Sequence, residues 1–450
     1  MSALSVAKFG GTSVADYEAM QSCAKIIISD PNTRVVVLSA SAGVTNLLVE
    51  LARGCDIEKQ KQLISEITKI QEAILIKLKD SSKIKLKIDL ILKTIENLSE
   101  AANLATSPAL TDELISQGEM MSTLIFVQLL AELNIKATWI DVRTIITTDS
   151  QFGKAVPNDE VTQKNSDLIL KPLINEGELI ITQGFIGRNS EGKTTTLGRG
   201  GSDYSAALLA EVLNAKNVLI WTDVAGIYTT DPRIVKNAKK IDTISFSEAA
   251  EMATFGAKVL HPATLLPAVR SNIPVYVGSS KSPEEGGTWV ISDPQPRPTF
   301  RAIALRREQT LLTLTSLSML HAQGFIAHIF SILAKHKISV DTITTSEVSV
   351  ALTLDLKGST SSKTELLSPE LLLELEKVAN VNIDTGLALV ALVGNNLHTS
   401  IGIAKQIFNA IDQYNVRMIS YGASPNNVCT LVSSGEADDI VRILHKKLFE

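Results

Sequence analysis

Several features that would place this chain in a special class are scarce in its sequence. Its three cysteines, Cys23, Cys55 and Cys429, show no CxxC or Cys/His ligand spacing, so we expect small buried hydrophobic residues. Aromatic residues make up 4% of the chain, and no uninterrupted apolar run reaches the about 18 residues of a membrane-spanning helix. The N-terminus SALSVAKFGG lacks the charged and apolar regions of a secretory signal. These absences predict a cytosolic protein.

An excess of positive charge is also missing. The formal net charge is −5 and there is no long basic block, which argues against nucleic acid or an anionic membrane as a partner. Small molecules are the expected ligands. With 450 residues the chain is long enough for about two to four domains.

Residues 187–194, GRNSEGKT, satisfy the P-loop pattern. A P-loop needs a strand before it and a helix after it, because the phosphates rest on the N–H groups of a helix N-terminus. The apolar run 179–187 suits the strand, but the β-branched residues 194–196 and the glycines beyond them disfavour the helix. We therefore predict that GRNSEGKT is the tip of a β-hairpin, and that any bound ATP has its phosphates held elsewhere.

The first 290 or so residues alternate short apolar runs with amphipathic segments, which is typical of a parallel sheet covered by helices. Apolar residues recur at helical spacing between positions 56 and 107, predicting an inserted helical hairpin. The predicted strands are 5–9, 34–40, 136–142, 179–187, 217–224 and 273–280.

A proline-rich segment, DPQPRPT at 293–299, predicts an extended linker. Beyond it, a strand, a helix with Ile329 and Phe330 and further apolar runs recur at an offset of about 78 residues, with Ile407 and Phe408 at the matching positions. This twofold βαβ repeat indicates a duplicated ligand-binding module; two small domains that only pack and dimerise are the alternative.

Four turns rich in small and polar residues follow predicted strands, and in open α/β sheets ligands bind at those ends. In KFGGTS, Gly10 and Gly11 allow close approach of a phosphate to the backbone before a helix at 17–28, and Lys8 supplies a positive charge. A tight structural turn is the alternative there, as an N-cap is for Ser202 or Asp203. The four turns are KFGGTS (8–13), SASAGVTN (39–46), GRGGSD (198–203) and WTDVAGIYTTDPR (221–233).

Together with TDELISQGE and EMATFGAKVLHPAT, these motifs resemble the aspartate kinases of the amino acid kinase superfamily, and the repeat resembles their paired ACT domains. The run 315–355 resembles the monofunctional, lysine-sensitive class. The resemblance implies an α/β amino acid kinase fold, a mainly parallel sheet between helical layers, with two C-terminal ferredoxin-like ACT domains. The implied bounds are 1–292 for the catalytic domain with its insert at 56–107, 293–304 for the linker, 305–385 plus 434–450 for the first ACT domain and 386–433 for the second.

The resemblance also implies a reaction: transfer of the γ-phosphoryl group of Mg-ATP to the side-chain carboxylate of L-aspartate, with no metal ligand assigned. Glu119, which we place at the start of an apolar helix, would accept from the substrate ammonium group; otherwise it is an ordinary first-turn carboxylate. The implied catalytic residues are Lys8, Gly10, Gly11 and Asp203, and the implied substrate residues are Ser41, Thr45, Glu119, Arg199 and Ser202. Besides Lys8, Gly10 and Gly11, the implied nucleotide residues are Thr222, Asp223, Tyr228, Asp231, Arg233 and Lys258.

By the same resemblance, L-lysine would bind where ACT domains of two subunits of a homodimer meet, with a tetramer also open, and would inhibit the enzyme. Ala322 stands where we expect a hydroxyl, which weakens the expected hold on lysine. The implied lysine residues are Met319, Gly324, Phe325, Ile326, Ser339, Val340, Asp341, Ser346 and Glu347.

Two other readings remain open from the sequence. Acetylglutamate, carbamate, glutamate and uridylate kinases share the superfamily, and a catalytically dead amino-acid sensor would use the same ACT site. The ACT repeat with Glu119 and Arg199 favours a free amino acid as substrate, and the presence of Lys8, Asp203 and Lys258 favours a working enzyme.

Overall fold

A computed structural model describes residues 4–256, 260, 265–320, 322–355 and 367–450. The chain forms two compact units. The first holds the described residues within Met1–Ile227, Lys240–Ala249 and Val259–Pro294, and the second those within Tyr228–Lys239, Ala250–Lys258 and Gln295–Glu450. The predicted nucleotide residue Lys258 and the neighbouring His261 lie outside the described residues.

The strands of the first unit form an eight-stranded sheet and a small three-stranded sheet. They are β1 (Ser5–Phe9), β2 (Thr33–Leu38), β3 (Ala137–Ile140), β4 (Thr147–Thr148), β5 (Leu179–Gln183), β6 (Ile186–Asn189), β7 (Thr194–Thr196), β8 (Asn217–Thr222), β9 (Thr243–Ser245), β10 (Val275–Ser279) and β11 (Gly287–Ile291). The large sheet has the order β3-β5-β2-β1-β8-β10-β11-β9, and only its β10–β11 pair is antiparallel among the described strands.

Helices cover this sheet, as the alternating sequence pattern predicts. Side chains cap several of them: Asp16 accepts from Ala19 N–H at the start of α1, and Ser107 caps α5 ahead of Pro108. The helices between positions 17 and 270 are α1 (Tyr17–Ser29), α2 (Val44–Ala52), α3 (Ile57–Leu75), α4 (Ser82–Leu104), α5 (Pro108–Glu132), α6 (Asp159–Asn175), α7 (Gly201–Val212), α8 (Phe246–Thr254) and α9 (Leu266–Arg270).

All six predicted strands are confirmed, with one difference. The run 179–187 is two strands, because the chain turns at Phe185, whose φ of 72° is rare for a bulky residue. The hairpin at GRNSEGKT is also confirmed, since β6 and β7 pair antiparallel and residues 190–193 form the turn between them. The insert is the pair of helices α3 and α4, which bury Leu63, Ile67 and Ile88 in the main core.

Helix α5 has the length and composition of a membrane span, but 72% of its most apolar window is buried inside the fold. It is therefore a core helix. Its buried residues include Asp112 and Glu119, two carboxylates that the apolar composition of the helix does not predict at buried positions. Cys23 and Cys429 are buried as predicted, whereas Cys55 is only half-buried.

The second unit contains one six-stranded antiparallel sheet of order β13-β14-β12-β15-β17-β16. Two long strands at its centre serve both halves of the predicted repeat. The elements are β12 (Phe300–Thr315), α10 (Phe325–Lys335), β13 (Val340–Thr345), β14 (Ser349–Asp355), α11 (Pro369–Glu376), β15 (Asn380–Gly394), α12 (Ile403–Ala410), β16 (Met418–Tyr421), β17 (Asn427–Ser433) and α13 (Ala437–Phe449).

The packing of this unit differs from the predicted bounds in two places. Helix α13 buries Ile440, Val441 and Leu444 in a core with Val390 and Val432 of the second repeat, whereas we assigned 434–450 to the first ACT domain. The reason is the antiparallel sheet, which brings β15 and β17 under the C-terminal helix. The linker is also shorter than 293–304, because β12 already begins at position 300.

Candidate active site

The carboxyl ends of five neighbouring parallel strands lie at one edge of the large sheet. In the order β5, β2, β1, β8 and β10 each strand is hydrogen-bonded in parallel to the next. The loops that follow these strands must therefore emerge on the same side, where ligands of open α/β sheets bind. Three of them, the loops after β1, β2 and β8, contain residues predicted from the sequence, whereas the fourth predicted turn, 198–203, follows β7 of the small sheet.

Lys8 and Asp203 form an ion pair at this edge. Lys8 is the fourth residue of β1, and its Nζ lies 2.7 Å from Oδ1 of Asp203 in the first turn of α7. Both side chains are mostly buried, with 11% and 13% of their surfaces exposed. Gly200, not Ser202 or Asp203, is the N-cap of α7, which excludes the capping alternative for both residues. Asp203 is thus available to orient the lysine.

The loop after β1 is held against the loop after β2. A Cβ added to Gly11 would lie 2.8 Å from the carbonyl oxygen of Ala40, so the two backbones touch. Residues 11–14 form a 3₁₀ turn, and α1 begins only at Tyr17 with Asp16 as its cap. A 3₁₀ turn and the cap residue Asp16, which accepts from the N–H of Ala19, therefore stand between the two glycines and α1.

Hydroxyl groups join the remaining loops. Ser39 donates to Ser202 across 3.0 Å, and a Cβ on Gly184 would lie 2.5 Å from Cβ of Ser202, so the end of β5 also meets the start of α7. Ser41 is 1% exposed, and its Oγ has no hydrogen-bond partner among the described residues. A buried hydroxyl without a partner is costly, which indicates a ligand here.

Glu119 lies in the middle of α5, not at its start, so the first-turn interpretation is wrong. Its Oε1 accepts from the N–H of Ala40 at 3.2 Å, while its Oε2 is buried and has no partner within the described part of the chain. Burial raises the pKa of Glu119 to about 8. A cationic group placed against Oε2 would satisfy it and favour its ionised form.

Other predicted substrate residues are open to solvent. Arg199 is exposed between Gly198 and Gly200, whose φ angles are 78° and 75°, and Thr45 is half-buried in the first turn of α2. The glycines give the Arg199 loop a backbone that other residues rarely adopt.

A fifth loop was missed from the sequence. Ser280, directly after β10, shares a 2.6 Å hydrogen bond with the hydroxyl of Ser13, and its N–H donates to the carbonyl of Thr222. Thr222 at the end of β8 donates to Asp223, which is exposed. We had included Ser280 in an apolar strand; the hydroxyl-rich run 279–282 after that strand was the available signal.

The other nucleotide candidates belong to the second unit. Tyr228, Asp231 and Arg233 lie in the segment Tyr228–Lys239, where Arg233 pairs with Asp231 at 2.6 Å. Within that unit the hydroxyl of Thr229 is hydrogen-bonded to Nε2 of the buried His445 at 3.0 Å.

The lysine candidates lie in three places, which are the segment leading into α10, the start of β13 and the turn between β13 and β14. Gly324, with a φ of 81°, is the N-cap of α10 and offers the first-turn N–H groups without a side-chain cap. Ser346 and Glu347 are exposed in the turn, and Ser346 is hydrogen-bonded to Ser349. Asp341 already pairs with Arg306 at 3.2 Å. Met319 lies in a 3₁₀ turn, Phe325 and Ile326 begin α10, Ser339 is exposed and Val340 begins β13.

The second repeat differs at the matching positions. Gly402 again caps a helix with a φ of 82°, but the counterparts of Ser346 and Ser349 are Ser424 and Asn427. Both donate to the carboxylate of Glu251, at 2.5 and 2.7 Å. The two repeats therefore present chemically different surfaces.

Comparison with known proteins gives consistent results. Residues 3–279 match the amino acid kinase family, and residues 390–448 match the ACT domain. The chain is 58% identical, over 100% of both sequences, to the lysine-sensitive aspartokinase 3 of Escherichia coli (strain K12). It is similar to the crystal structure of E. coli aspartokinase III with aspartate and ADP in the R-state, at a TM-score of 0.90, 58% identity and coverage of 99% and 100%. The structure of the same enzyme with lysine and aspartate in the T-state has a TM-score of 0.88, 58% identity and full coverage of both chains.

The contact between Gly11 and Ala40 can be tested directly. We expect Gly11→Ala to lower the free energy of unfolding by about 1–3 kcal/mol, because the added methyl group meets a backbone carbonyl that cannot rotate away. Urea denaturation measures the change. Gly435→Ala is the matched control: its Cβ would meet only the Ser433 hydroxyl at 3.8 Å, so a change within about 0.5 kcal/mol is expected. Equal effects of the two substitutions would contradict the proposed close approach.

Proposed function

This chain belongs to the aspartokinases of the amino acid kinase family, and from that premise we propose that it transfers the γ-phosphoryl group of ATP to the side-chain carboxylate of L-aspartate. The product is 4-phospho-L-aspartate, in the first step of lysine, threonine and methionine biosynthesis. The observation that carries this proposal is the convergence of the Lys8–Asp203 ion pair and the unsatisfied Oε2 of Glu119 on elements at one sheet edge.

Phosphoryl transfer requires mainly positioning and neutralisation of charge. A carboxylate oxygen of aspartate attacks the γ-phosphorus, and the bond from that phosphorus to the β–γ bridging oxygen breaks as ADP leaves. Lys8 neutralises charge on the transferring group, with the N–H groups of Gly10 and Gly11 beside it, and Asp203 orients Lys8. No general base is needed, because the acceptor carboxylate is already ionised at neutral pH.

The two charges on the α-carbon of aspartate require two opposite charges in the protein. Glu119 receives the α-ammonium group at its free oxygen, and the planar guanidinium of Arg199 binds the α-carboxylate. Ser41, Thr45 and Ser202 supply hydroxyl contacts. The buried, unpartnered Oγ of Ser41 supports this placement, since it lies next to Ala40, whose N–H fixes Glu119.

The nucleotide contacts proposed beyond the β1 loop are Thr222, Asp223, Tyr228, Asp231, Arg233 and Lys258. Mg²⁺ would enter with ATP and would be held chiefly by phosphate oxygens and water, so no protein ligand is assigned. It would supply additional neutralisation of phosphate charge.

Regulation by L-lysine through the first ACT domain completes the proposal. Glu347 and Asp341 would face the ammonium groups of lysine, and N–H groups at the start of α10 its carboxylate. We propose a cytoplasmic homodimer formed through the ACT domains. The proposed domains are 1–292 for catalysis, 305–385 for the first ACT domain and 386–450 for the second, which now includes α13 because of its packing.

Trapping of the acyl phosphate tests the activity. Purified protein incubated with Mg-ATP, L-aspartate and hydroxylamine should form aspartyl hydroxamate, and L-lysine should reduce it. Lys8→Ala should abolish hydroxamate formation while lysine still binds in calorimetry, because the substitution removes the charge at the transferring group. Lysine binding without any hydroxamate from the wild-type protein would favour the sensor; hydroxamate indifferent to lysine would point to threonine or methionine as effector.

The raised pKa of Glu119 predicts a pH dependence. Only the ionised carboxylate attracts the substrate ammonium group, so kcat/KM for aspartate should rise on the order of tenfold between pH 6.5 and 8 and then level off about one pH unit above the pKa of about 8. Glu119→Gln should give a low and flat profile, because the amide cannot ionise. A Gln variant that keeps the wild-type rise would assign the titration to another group.

The lysine site is tested by Glu347→Ala. We expect the Ki of lysine to rise about tenfold or more with kcat unchanged, since the lost carboxylate pairs with the ligand and belongs to the unit that does not contain the Lys8–Asp203 pair. Inhibition curves at fixed aspartate measure it. Glu376→Ala makes the same charge change on exposed surface of α11 and should leave Ki unchanged. Unaltered inhibition in Glu347→Ala would rule out this assignment.

A further inference from the structure

Asp112 is a buried carboxylate that the proposed chemistry does not use. It lies in the second turn of α5 and is 1% exposed. Its Oδ2 accepts from the N–H of Gly153 at 2.9 Å and from the N–H of Thr196 at 2.8 Å, while its Oδ1 accepts from the hydroxyl of Thr196 at 2.9 Å. Three donors, two from the end of β7 and one from the turn at Gly153, thus converge on one side chain of a core helix.

Helix α5 is also hydrogen-bonded to the loop after β2, through Glu119 and Ser122. Glu119 follows Asp112 by seven residues, which is two helical turns or about 10 Å along the axis, so both side chains leave the same face. Glu119 accepts from the N–H of Ala40, and Ser122 donates to the carbonyl of Ser39 at 2.8 Å. One rigid helix is therefore bonded to the loop after β2 and, through Asp112, to the end of β7.

The bonds of Asp112 lead directly to Arg199. Thr196 is three residues before it, and between them Gly198 adopts a φ of 78°. A Cβ on Gly198 would lie 3.2 Å from the carbonyl oxygen of Gly153, so the Arg199 loop rests on the turn whose N–H Asp112 holds. The N–H of Ala155 also donates to the carbonyl of Thr196 at 2.8 Å. The two segments that support the Arg199 loop, the end of β7 at Thr196 and the turn at Gly153, are therefore both hydrogen-bonded to the carboxylate of Asp112.

We propose that Asp112 is a positioning residue that fixes the Arg199 loop to helix α5. It thereby sets the distance between the Arg199 guanidinium and the Glu119 carboxylate, which bind the two charged groups on the α-carbon of aspartate. This inference rests on the proposed function. Asp112 touches no substrate; it acts through Arg199. Loss of the clamp allows the exposed arginine to move away from Glu119, which weakens aspartate binding and leaves the nucleotide loops in place.

The kinetics of three variants test whether the bonds of Asp112 to Gly153 and Thr196 position Arg199. Asp112→Ala should raise KM for aspartate about tenfold while KM for ATP stays within about twofold. Asp112→Asn should rescue most of the loss, to within about threefold of wild type, because its oxygen can accept from both N–H groups and its amide can donate to the Thr196 hydroxyl. Thr196→Val removes only the hydrogen bond from the Thr196 hydroxyl to Asp112, and it replaces Asp112→Ala in the test if that variant does not fold. We expect KM for aspartate to rise about threefold and KM for ATP to stay unchanged.

A matched control separates positioning from general destabilisation. Gln60→Ala removes another buried hydrogen-bonding side chain, one that bonds to Ser99 and Asn103 between α3 and α4. Its melting temperature should fall as that of Asp112→Ala does, with both KM values within about twofold of wild type. Equal rises in both KM values for Asp112→Ala, or no rescue by Asp112→Asn, would overturn the proposal.

A double-mutant cycle decides whether Asp112 acts through Arg199. Arg199→Lys keeps the positive charge but loses the planar guanidinium that binds the α-carboxylate, so it should by itself raise KM for aspartate. Adding Asp112→Ala to it should then change KM by less than about twofold, because the contact that the clamp supports is already lost. If adding Asp112→Ala still raises KM for aspartate a further tenfold, the role proposed for Asp112 is wrong while the proposed function is unaffected. If Arg199→Lys leaves KM for aspartate unchanged, the proposed substrate site fails instead.

Discussion

The mostly buried ion pair between Lys8 and Asp203 is the interaction on which the arrangement of the site depends. It joins the central strand β1 to the first turn of α7, two elements far apart in sequence. Removing either partner would leave a largely desolvated charge, at a cost of about 3–5 kcal/mol. The pair therefore fixes the position of the Lys8 side chain, and the Gly11–Ala40 and Gly184–Ser202 contacts keep the neighbouring loops close to it.

Helix α5 provides the second constraint. Its composition is that of a membrane span, yet its polar side chains are bonded to loops at the sheet edge: Glu119 to Ala40, Ser122 to Ser39 and Asp112 to Thr196. A buried helix has little freedom to move, so loops fastened to it share one rigid reference. The glycine-rich loop of Arg199 is among the segments supported in this way, through Thr196 and Gly153.

The second unit contains both the regulatory candidates and part of the nucleotide candidates. The segment Tyr228–Lys239 packs with the second repeat: Thr229 bonds to His445, its carbonyl accepts from Ile303 N–H at 2.7 Å, and Val235 lies in the same core as Ile440. Tyr228, Asp231 and Arg233 are thus presented by the unit that carries the two repeats. Of those repeats, the second has its Ser424 and Asn427 bonded to Glu251, whereas Ser346 and Glu347 of the first are exposed.

The sequence by itself determined the strand order of appearance, the helical insert, the hairpin at GRNSEGKT, the twofold repeat and the glycine turns, because periodicity and turn chemistry are local properties. The catalytic and substrate residues are predictions from motifs, and the structure brings Lys8 to Asp203 and Glu119 to the loop after β2. Only the tertiary structure decided that Glu119 is a buried mid-helix acid with a raised pKa, that Ser280 bonds to Ser13, that α13 packs on the second repeat and that Asp112 bonds to Gly153 and Thr196. Each of these depends on contacts between residues distant in sequence, which burial and sheet pairing create and which no local pattern records.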